Sequence, residues 1–173
     1  MIKIIDGNLF DSKANFIVHQ TNCLGVMGAG VALQVAEKFP HVEKEYLKYL
    51  RYCKKNKVEA LGTTQYVPVD EWALVMADTM NNTRVTAYDT EYQYIVNLFG
   101  QASIGSGMQT NLRAMTKAFE DICDKAKAIG ATVAMPYMIG SFRGGANWED
   151  VYAIIKKVFD NEVDVEICRY NAE

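Results

Sequence analysis

Residues 18–32 read VHQTNCLGVMGAGVA, and this stretch is the most informative one about the fold. It continues an apolar, β-branched run that begins at Phe16 and is typical of a strand. Three glycines follow, at Gly25, Gly28 and Gly30. Beyond Gly30, apolar residues recur at helical spacing until Pro40, which predicts a helix that ends there. The order of strand, glycine loop and helix predicts an α/β protein.

The same alternation continues through the rest of the chain. We predict strands at residues 1–5, 16–19, 62–67, 72–77, 94–99, 132–135 and 163–168. We predict helices at 31–39, 42–53, 112–129 and 148–159, the last one capped by Asn147, and a loop at 81–91. The run at 94–99 is typical of a strand covered on both faces. The pattern therefore predicts one α/β domain, residues 1–173, with a largely parallel sheet covered on both faces.

Composition narrows the classes of function. The chain has 173 residues, of which 50% are apolar and 23% charged, and its formal net charge is −3. This balance is typical of a globular domain and argues against a nucleic-acid-binding surface spread over the whole domain. The longest apolar run is too short to cross a bilayer, and the first residues are unlike a signal peptide. We therefore expect a cytoplasmic protein with no membrane partner.

The four cysteines are widely separated in the sequence. Cys23, Cys53, Cys123 and Cys168 form no CxxC pair and no Cys/His cluster. We therefore predict neither a metal site nor a disulfide framework, and we expect no cofactor. Small buried thiols are the simplest interpretation, although Cys23 could also line a pocket.

Glycines cluster in three loops that each follow a predicted strand. Residues 25–30, 100–107 and 140–145 together hold nine of the twelve glycines. Ligands of open α/β sheets bind outside the carboxyl ends of the strands, and glycine lets backbone N–H groups approach them closely. One such loop is more often a tight turn, but three at corresponding positions favour a shared site for a phosphate or pyrophosphate. Neither the dinucleotide-binding motif nor the P-loop motif is present.

Three segments resemble the macro domains. Residues 18–32 resemble their first ligand loop, YIVNLFGQ at 94–101 resembles their central strand, and residues 135–148 resemble their phosphate loop. Within the macro domains, these segments resemble one branch more specifically. That branch contains the ADP-ribose 1''-phosphate phosphatases, their bacterial and phage relatives, and the related ADP-ribosyl-glutamate hydrolases. It implies a three-layer α/β/α sandwich with a mixed, largely parallel central sheet and an ADP-ribose cleft at one sheet edge.

The resemblance also implies roles for particular residues. Asn8 and Leu9 would lie beside the adenine, Asn22 and residues 25–30 around the distal ribose, and residues 139–143 around the diphosphate. The predicted ligand-binding residues are Asn8, Leu9, Asn22, Gly25, Val26, Met27, Gly28, Ala29, Gly30, Val31, Gly100, Gln101, Ile139, Gly140, Ser141, Phe142 and Arg143. The predicted partner is ADP-ribose or a derivative, either free or carried by an ADP-ribosylated macromolecule.

The chain departs from the family pattern at several of these positions. Macro domains usually carry aspartate where this chain has Asn8, so we expect weaker or broader adenine binding. The glutamate-directed hydrolases use a lysine and an aspartate where this chain has Gln101 and, approximately, Gly144, which argues against their lysine-dependent route. Phe142 could stack on the ligand and Arg143 could pair with phosphate; the alternatives are an exposed ring and a solvated charge.

Few residues are left as catalytic candidates. His19 could act as general acid or base in phosphate-monoester hydrolysis, although a strand histidine is more often packed and hydrogen-bonded. Asn22 could orient a ribose hydroxyl or an attacking water, or it could stabilise the turn. Asp78 is a further candidate acid.

Three functions stay open on the sequence alone. They are hydrolysis of ADP-ribose 1''-phosphate, non-catalytic reading or sequestration of an ADP-ribose derivative, and mono-ADP-ribosyl hydrolysis. The missing lysine and aspartate favour a binding module, whereas the narrow branch resemblance favours the phosphatase.

Overall fold

The fold is built on one mixed sheet. The computed structural model describes residues 1–79 and 90–170, with the backbone alone described for 76–79. The strands are β1 Ile2–Asp6, β2 Phe16–Thr21, β3 Thr64–Pro68, β4 Tyr94–Phe99, β5 Val133–Pro136 and β6 Val165–Arg169. They lie in the order β1-β6-β5-β2-β4-β3, and each neighbouring pair is parallel except the antiparallel pair β3 and β4. The predicted mixed, largely parallel sheet is confirmed.

Helices cover both faces of this sheet. They are α1 Gly30–Lys38, α2 Pro40–Asn56, α3 Glu71–Thr79, α4 Leu112–Ile129 and α5 Trp148–Phe159. Alternate residues of a strand point to opposite faces. Phe16 of β2 belongs to an apolar cluster with residues of α4 and α5, whereas Ile17 belongs to a second cluster with residues of α1 and α2. The sheet is therefore the middle one of three layers, as the resemblance implied.

The central strands β2 and β4 lie in the interior of the sheet. They pair in parallel from Phe16 opposite Tyr94 to Thr21 opposite Phe99, and every residue of β4 is buried. Because the two strands end side by side, the loops that follow them leave the sheet at the same edge. This alignment places the first two glycine loops next to each other.

The strand predicted at residues 72–77 is wrong, because these residues lie in helix α3. A short apolar run has no period that separates a buried strand from a buried helix, and alanine, leucine and methionine are good helix formers. A local hydrogen bond favours the helix over the strand. Asp70 Oδ1 accepts the N–H of Trp72 at 2.9 Å, at the start of α3. The Asp78 side chain and most of the predicted 81–91 loop lie outside the described residues.

The ends of the long helices follow local signals. Asn147 Oδ1 accepts the N–H groups of Glu149 at 2.8 Å and Asp150 at 3.3 Å, so the predicted cap of α5 is confirmed. Helix α4 ends at Gly130, which adopts a φ of 70° that favours glycine. Among the helices of the described residues, none has the length and hydropathy needed to cross a membrane.

Candidate functional site

Three loops enclose a cleft at the carboxyl ends of the parallel strands. Loop 1 is residues 22–30 after β2, loop 2 is residues 100–110 after β4, and loop 3 is residues 137–146 after β5. The cleft has a volume of about 1170 Å³ and extends to the end of β6. Pockets for drug-sized ligands are roughly 300–1,000 Å³. The cleft is therefore large enough for a ligand with two sugar-sized parts.

Most of the residues predicted from the sequence line this cleft. They are His19, Asn22, Val26, Gly28, Ala29, Gly30, Val31, Gln101, Ile139, Gly140, Phe142 and Arg143. The three glycine loops thus surround one cavity rather than three separate turns. That these residues bind a ligand stays a prediction.

Six of the predicted ligand-binding residues are not part of the cleft lining. They are Asn8, Leu9, Gly25, Met27, Gly100 and Ser141. Asn8 Oδ1 accepts the N–H of Phe10 at 3.0 Å and caps a short 3₁₀ helix, while Leu9 and Met27 are buried in the apolar core. In this structure Asn8 and Leu9 therefore support the loop after β1, and their contact with an adenine stays a prediction.

Sequence reasoning did not name several residues that line the cleft. Among them are Gln20, Thr21, Gln34, Ile104, Met108, Pro136, Tyr137, Met138, Arg169 and Tyr170. The ends of β5 and β6 contribute Tyr137, Arg169 and Tyr170, and the general rule that ligands bind at carboxyl ends would have included them. Gln20 directly follows the predicted strand at 16–19 and carries a polar side chain, which was a usable signal.

Loop 1 is held by hydrogen bonds between Asn22, Tyr46 and the loop backbone. Asn22 Oδ1 accepts the N–H of Leu24 at 3.0 Å, and its Nδ2 donates to the Val26 carbonyl at 2.8 Å. The Tyr46 hydroxyl, from α2, donates to the Asn22 carbonyl at 2.8 Å and accepts the N–H of Gly25 at 3.2 Å. Burial raises the pKa of Tyr46 to about 12. The turn-stabilising role of Asn22 is thus visible in the structure.

Loops 2 and 3 are joined by Gln20 and Thr110. Gln20 Nε2 donates to Gln101 Oε1 at 2.9 Å and to Thr110 Oγ1 at 2.8 Å, and Thr110 Oγ1 donates to the Gly140 carbonyl at 2.7 Å. Glycine is required at 144 because a Cβ there would lie 2.1 Å from Thr110 Oγ1. The loops therefore form one hydrogen-bonded wall of the cleft.

The cleft has a positive character. Its charged lining residues within the described chain are Arg143 and Arg169, and no carboxylate lines it. Arg169 Nε donates to Asp6 Oδ1 at 2.8 Å, so its charge is partly balanced. Arg143 is exposed and its Nε would lie 3.2 Å from a Cβ at Gly30, so the guanidinium lies against loop 1. Arg143 is thus placed to meet an anion between loops 1 and 3.

The start of helix α1 adds backbone donors to the same place. Helices α4 and α5 begin at the asparagine caps Asn111 and Asn147, but α1 begins after Ala29, which has no side-chain cap. Gly30 and Val31 of its first turn line the cleft. The first N–H groups of a helix have no partner within the helix and attract negative charge. An anion in the cleft would satisfy them.

His19 lies at the floor of the cleft and is only 1% exposed. Its Nε2 lies 2.6 Å from Asn97 Oδ1. Burial lowers the pKa of His19 to about 4, although the hydrogen bond to Asn97 acts in the opposite direction. The imidazole is therefore neutral near pH 7, which suits an acceptor or a base better than an acid. Its catalytic role stays a prediction.

The cysteines of this region show no sign of reactivity. Cys23 is half-buried, and burial, followed by Glu59 and Cys53, raises its pKa to about 11. It packs beside the apolar cluster under loop 1 rather than lining the cleft. Within residues 1–79 and 90–170, no three His, Cys, Asp or Glu side chains cluster as metal ligands would.

Replacing Tyr46 by phenylalanine should destabilise the protein. The change removes the hydroxyl that bonds the buried Asn22 carbonyl and the Gly25 N–H, and an unsatisfied buried group costs about 1–3 kcal/mol. Urea denaturation would measure the loss, and hydrogen exchange at Gly25 should become faster. Tyr52→Phe on the exposed face of α2 is the matched control and should change the unfolding free energy by less than about 0.5 kcal/mol. Equal stabilities of the two variants would contradict the role of Tyr46.

The stability of the protein should fall as the pH decreases from about 6.5 to about 4. In this window the unfolded chain protonates His19 while the folded chain does not, because the folded pKa is about 4. The contribution is fully present above pH 6.5 and, once lost below pH 4, amounts to about 3 kcal/mol. Urea denaturation across this range would measure it. His19→Gln, which does not titrate, should remove this part of the slope, and parallel curves for the two proteins would contradict the assignment.

Comparison of this chain with known proteins identifies a family of related sequences and structures. The family model described as Macro domain matches residues 18–155. An ADP-ribose 1''-phosphate phosphatase of Lodderomyces elongisporus is 25% identical over 177 residues, covering 96% of this chain and 98% of that protein. A DNA ADP-ribosyl glycohydrolase of Thermus aquaticus is 36% identical over 59 residues, which are 34% of this chain and 16% of that protein. The chain therefore corresponds to only a small part of the Thermus protein.

A solved structure agrees with the fold. Thermosipho africanus DarTG in complex with ADP-ribose has a TM-score of 0.69 and 20% sequence identity to this chain, covering 97% of this chain and 41% of that one. The residues matched by the family model run from β2 into α5 and include all three loops around the cleft. The chain belongs to the macro domain family.

Proposed function

We propose that the cleft binds ADP-ribose or an ADP-ribose derivative. The single observation that carries this proposal is the anion site between loops 1 and 3. There the uncapped start of α1 and the Arg143 guanidinium lie together, and no carboxylate of the described residues lines the cleft. A diphosphate would supply the negative charge that this arrangement lacks. The remaining volume accommodates the two ribose-linked ends of such a ligand.

The relatives support the same ligand class. The Lodderomyces relative matched over nearly its whole length is named for ADP-ribose 1''-phosphate, and the Thermosipho neighbour is described in complex with ADP-ribose. An ADP-ribosylated macromolecule is a second form in which this chain could meet the ligand, since the Thermus relative is named for ADP-ribosylated DNA. The cytoplasmic location and the single domain over residues 1–173 stay predictions.

We propose hydrolysis of ADP-ribose 1''-phosphate as the reaction. Water would attack the phosphorus, inorganic phosphate would form, and the 1''-oxygen of ADP-ribose would leave with a proton. The scissile phosphate would lie against the backbone of loop 1, while Arg143 and the first N–H groups of α1 hold the diphosphate. His19 would accept a proton or hydrogen bond, and Asn22 would position the water or a ribose hydroxyl.

Non-catalytic binding is the alternative that a specific observation favours. Asn22 already bonds the backbone of loop 1 through both its oxygen and its nitrogen, and His19 is 1% exposed. The Asn22 side chain is therefore committed to loop 1, and the His19 side chain presents almost no surface to solvent. A macro domain that reads or sequesters an ADP-ribose derivative needs the same cleft and the same anion site but no reactive group. Mono-ADP-ribosyl hydrolysis is a third candidate, without the lysine-dependent route because position 101 is glutamine.

Arg143→Gln should weaken ADP-ribose binding about tenfold, because a hydrogen bond from a charged group contributes at least about 1.5 kcal/mol. The loss should become smaller at high salt, which already screens the exposed guanidinium. Isothermal calorimetry would measure both affinities. Adenosine, which carries no phosphate, should bind the two proteins equally. Arg113→Gln on α4, outside the cleft, is the control. Equal ADP-ribose affinities for wild type and Arg143→Gln would contradict the anion site.

Phosphate release from ADP-ribose 1''-phosphate decides between the phosphatase and the binding module. If the protein is the phosphatase, it turns the substrate over, and His19→Gln lowers kcat by about 100-fold, as expected for loss of an acid–base group. Asn22→Ala should also lower kcat, whereas Asn56→Ala at the exposed end of α2 should not. Tight binding of ADP-ribose without phosphate release would support the binding module, and no binding of any ADP-ribose compound would refute the proposed ligand class.

A further inference from the structure

Three polar side chains form a row across the sheet under loop 1. In the strand register Asn97 of β4 lies opposite His19 of β2 on one side and opposite Gln65 of β3 on the other. Asn97 Oδ1 lies 2.6 Å from His19 Nε2, and Asn97 Nδ2 lies 3.0 Å from Gln65 Oε1. Gln65 Nε2 reaches the Glu45 carbonyl on α2 at 2.8 Å. We call His19, Asn97 and Gln65 the polar row.

The backbone carbonyl at one end decides the direction of every hydrogen bond in the polar row. A carbonyl only accepts, so Gln65 must donate to Glu45 with its Nε2 and accept with its Oε1. Asn97 must then donate to Gln65 and accept with its Oδ1. His19 must therefore donate from Nε2, because the oxygen of Asn97 has no proton to give. The imidazole is the Nε2–H tautomer, and its Nδ1 carries a lone pair.

The lone pair on Nδ1 has no partner among the described residues. The atom is buried, and the side chain is 1% exposed at the floor of the cleft. Buried acceptors in folded proteins are normally satisfied, and His19 is one of the residues that line the cleft, so a donor group of a bound ligand could complete Nδ1. Among the donors of an ADP-ribose compound, a ribose hydroxyl is an O–H group of the kind that an imidazole nitrogen accepts.

We infer that Asn97 and Gln65 are positioning residues that hold His19 in the Nε2–H tautomer, so that Nδ1 accepts a hydrogen bond from a ribose hydroxyl of the bound ligand. The ligand contact rests on the proposed function, whereas the tautomer depends only on the polar row. The polar row also explains why the Asn97 amide occupies a fully buried position of the sheet, beside the half-buried Gln65, where an apolar residue would pack at lower cost.

Nitrogen NMR of the histidine rings tests the tautomer directly. The chain has two histidines, His19 and His41, so His19→Gln assigns the spectrum by removing one ring. The free wild type at neutral pH should show a protonated Nε2 and an unprotonated Nδ1 for His19. Gln65→Met keeps the side-chain volume but removes both amide hydrogen bonds, so Asn97 can rotate. This variant should show a population of the Nδ1–H form.

Two further variants control for simple loss of structure. Tyr66→Phe removes a hydroxyl hydrogen bond from the same strand on the opposite face of the sheet, and it should leave the tautomer unchanged. Asn97→Asp places a carboxylate, which can only accept, beside Nε2, and it should keep the Nε2–H form even though its bond to Gln65 is lost. An Nδ1–H tautomer in free wild type, or an unchanged tautomer in folded Gln65→Met, would overturn the positioning role.

Ligand titration tests the second half of the inference. Saturation with ADP-ribose should shift the His19 Nδ1 resonance in the direction of hydrogen-bond acceptance. An equal shift with ADP would assign the contact to the adenosine ribose, and a shift with ADP-ribose alone to the distal ribose. His19→Gln keeps the donor to Asn97 but removes Nδ1, and it should weaken ADP-ribose binding by about 2- to 12-fold, the value of one neutral hydrogen bond.

The possible failures are distinguishable. Binding of ADP-ribose without any change at Nδ1 would overturn the ligand contact and leave the proposed function intact. If wild type binds no ADP-ribose compound, the proposed function and the ribose contact both fail. The free-protein spectra of wild type and Gln65→Met would still decide whether Asn97 and Gln65 set the tautomer.

Discussion

The parallel pairing of β2 with β4 aligns the loops and the polar side chains of the cleft. Six residues of each strand lie side by side, from Phe16 and Tyr94 to Thr21 and Phe99. Helices cover both faces of this pair, so its register is tied to two apolar clusters at once. A shift by one residue would turn the apolar side chains of each strand to the wrong layer. The same register places loop 1 beside loop 2 and His19 beside Asn97.

The loops of the cleft are hydrogen-bonded to side chains of the sheet and of helix α2 as well as to each other. Tyr46 reaches from α2 to the backbone of loop 1, and Gln20 and Thr110 join loops 2 and 3. Glycine allows loops 2 and 3 to pack closely, because a Cβ at position 144 would collide with Thr110 Oγ1. What stays open is the set of N–H groups at the start of α1, together with Arg143. The fold thus builds a prepared place for an anion.

Binding and catalysis make different demands on this cleft. An anion site needs only donors and positive charge, and these are present around loops 1 and 3. Hydrolysis also needs groups that transfer a proton and position the water. The two candidate side chains, His19 and Asn22, are already hydrogen-bonded within the protein. A neutral imidazole with a free lone pair can still accept a proton or a hydrogen bond.

Local sequence patterns were enough to predict most of the elements of this protein. The glycine loops, the strands predicted at 16–19 and 94–99, helix α4 and the Asn147 cap all follow from patterns of residues close together in the sequence. The structure contains each of them, with the first of these strands extended to Thr21. The 72–77 strand was wrong because a short apolar run fits a helix equally well, and Asp70 favours the helix. Local signals therefore predicted the elements and the general position of the cleft.

Which side chains contact each other across the fold could not be predicted from local patterns. Tyr46 lies 24 residues from Asn22, and Gln65 lies 32 residues from Asn97, so no local pattern links them. Their contacts depend on strand register and on how α2 packs against the sheet, which are set by the whole core. For the same reason Asn8 and Leu9 lie outside the cleft lining while Tyr137 and Tyr170 lie within it. Sequence patterns determine elements, whereas distances between side chains on different elements depend on the packing of all the layers.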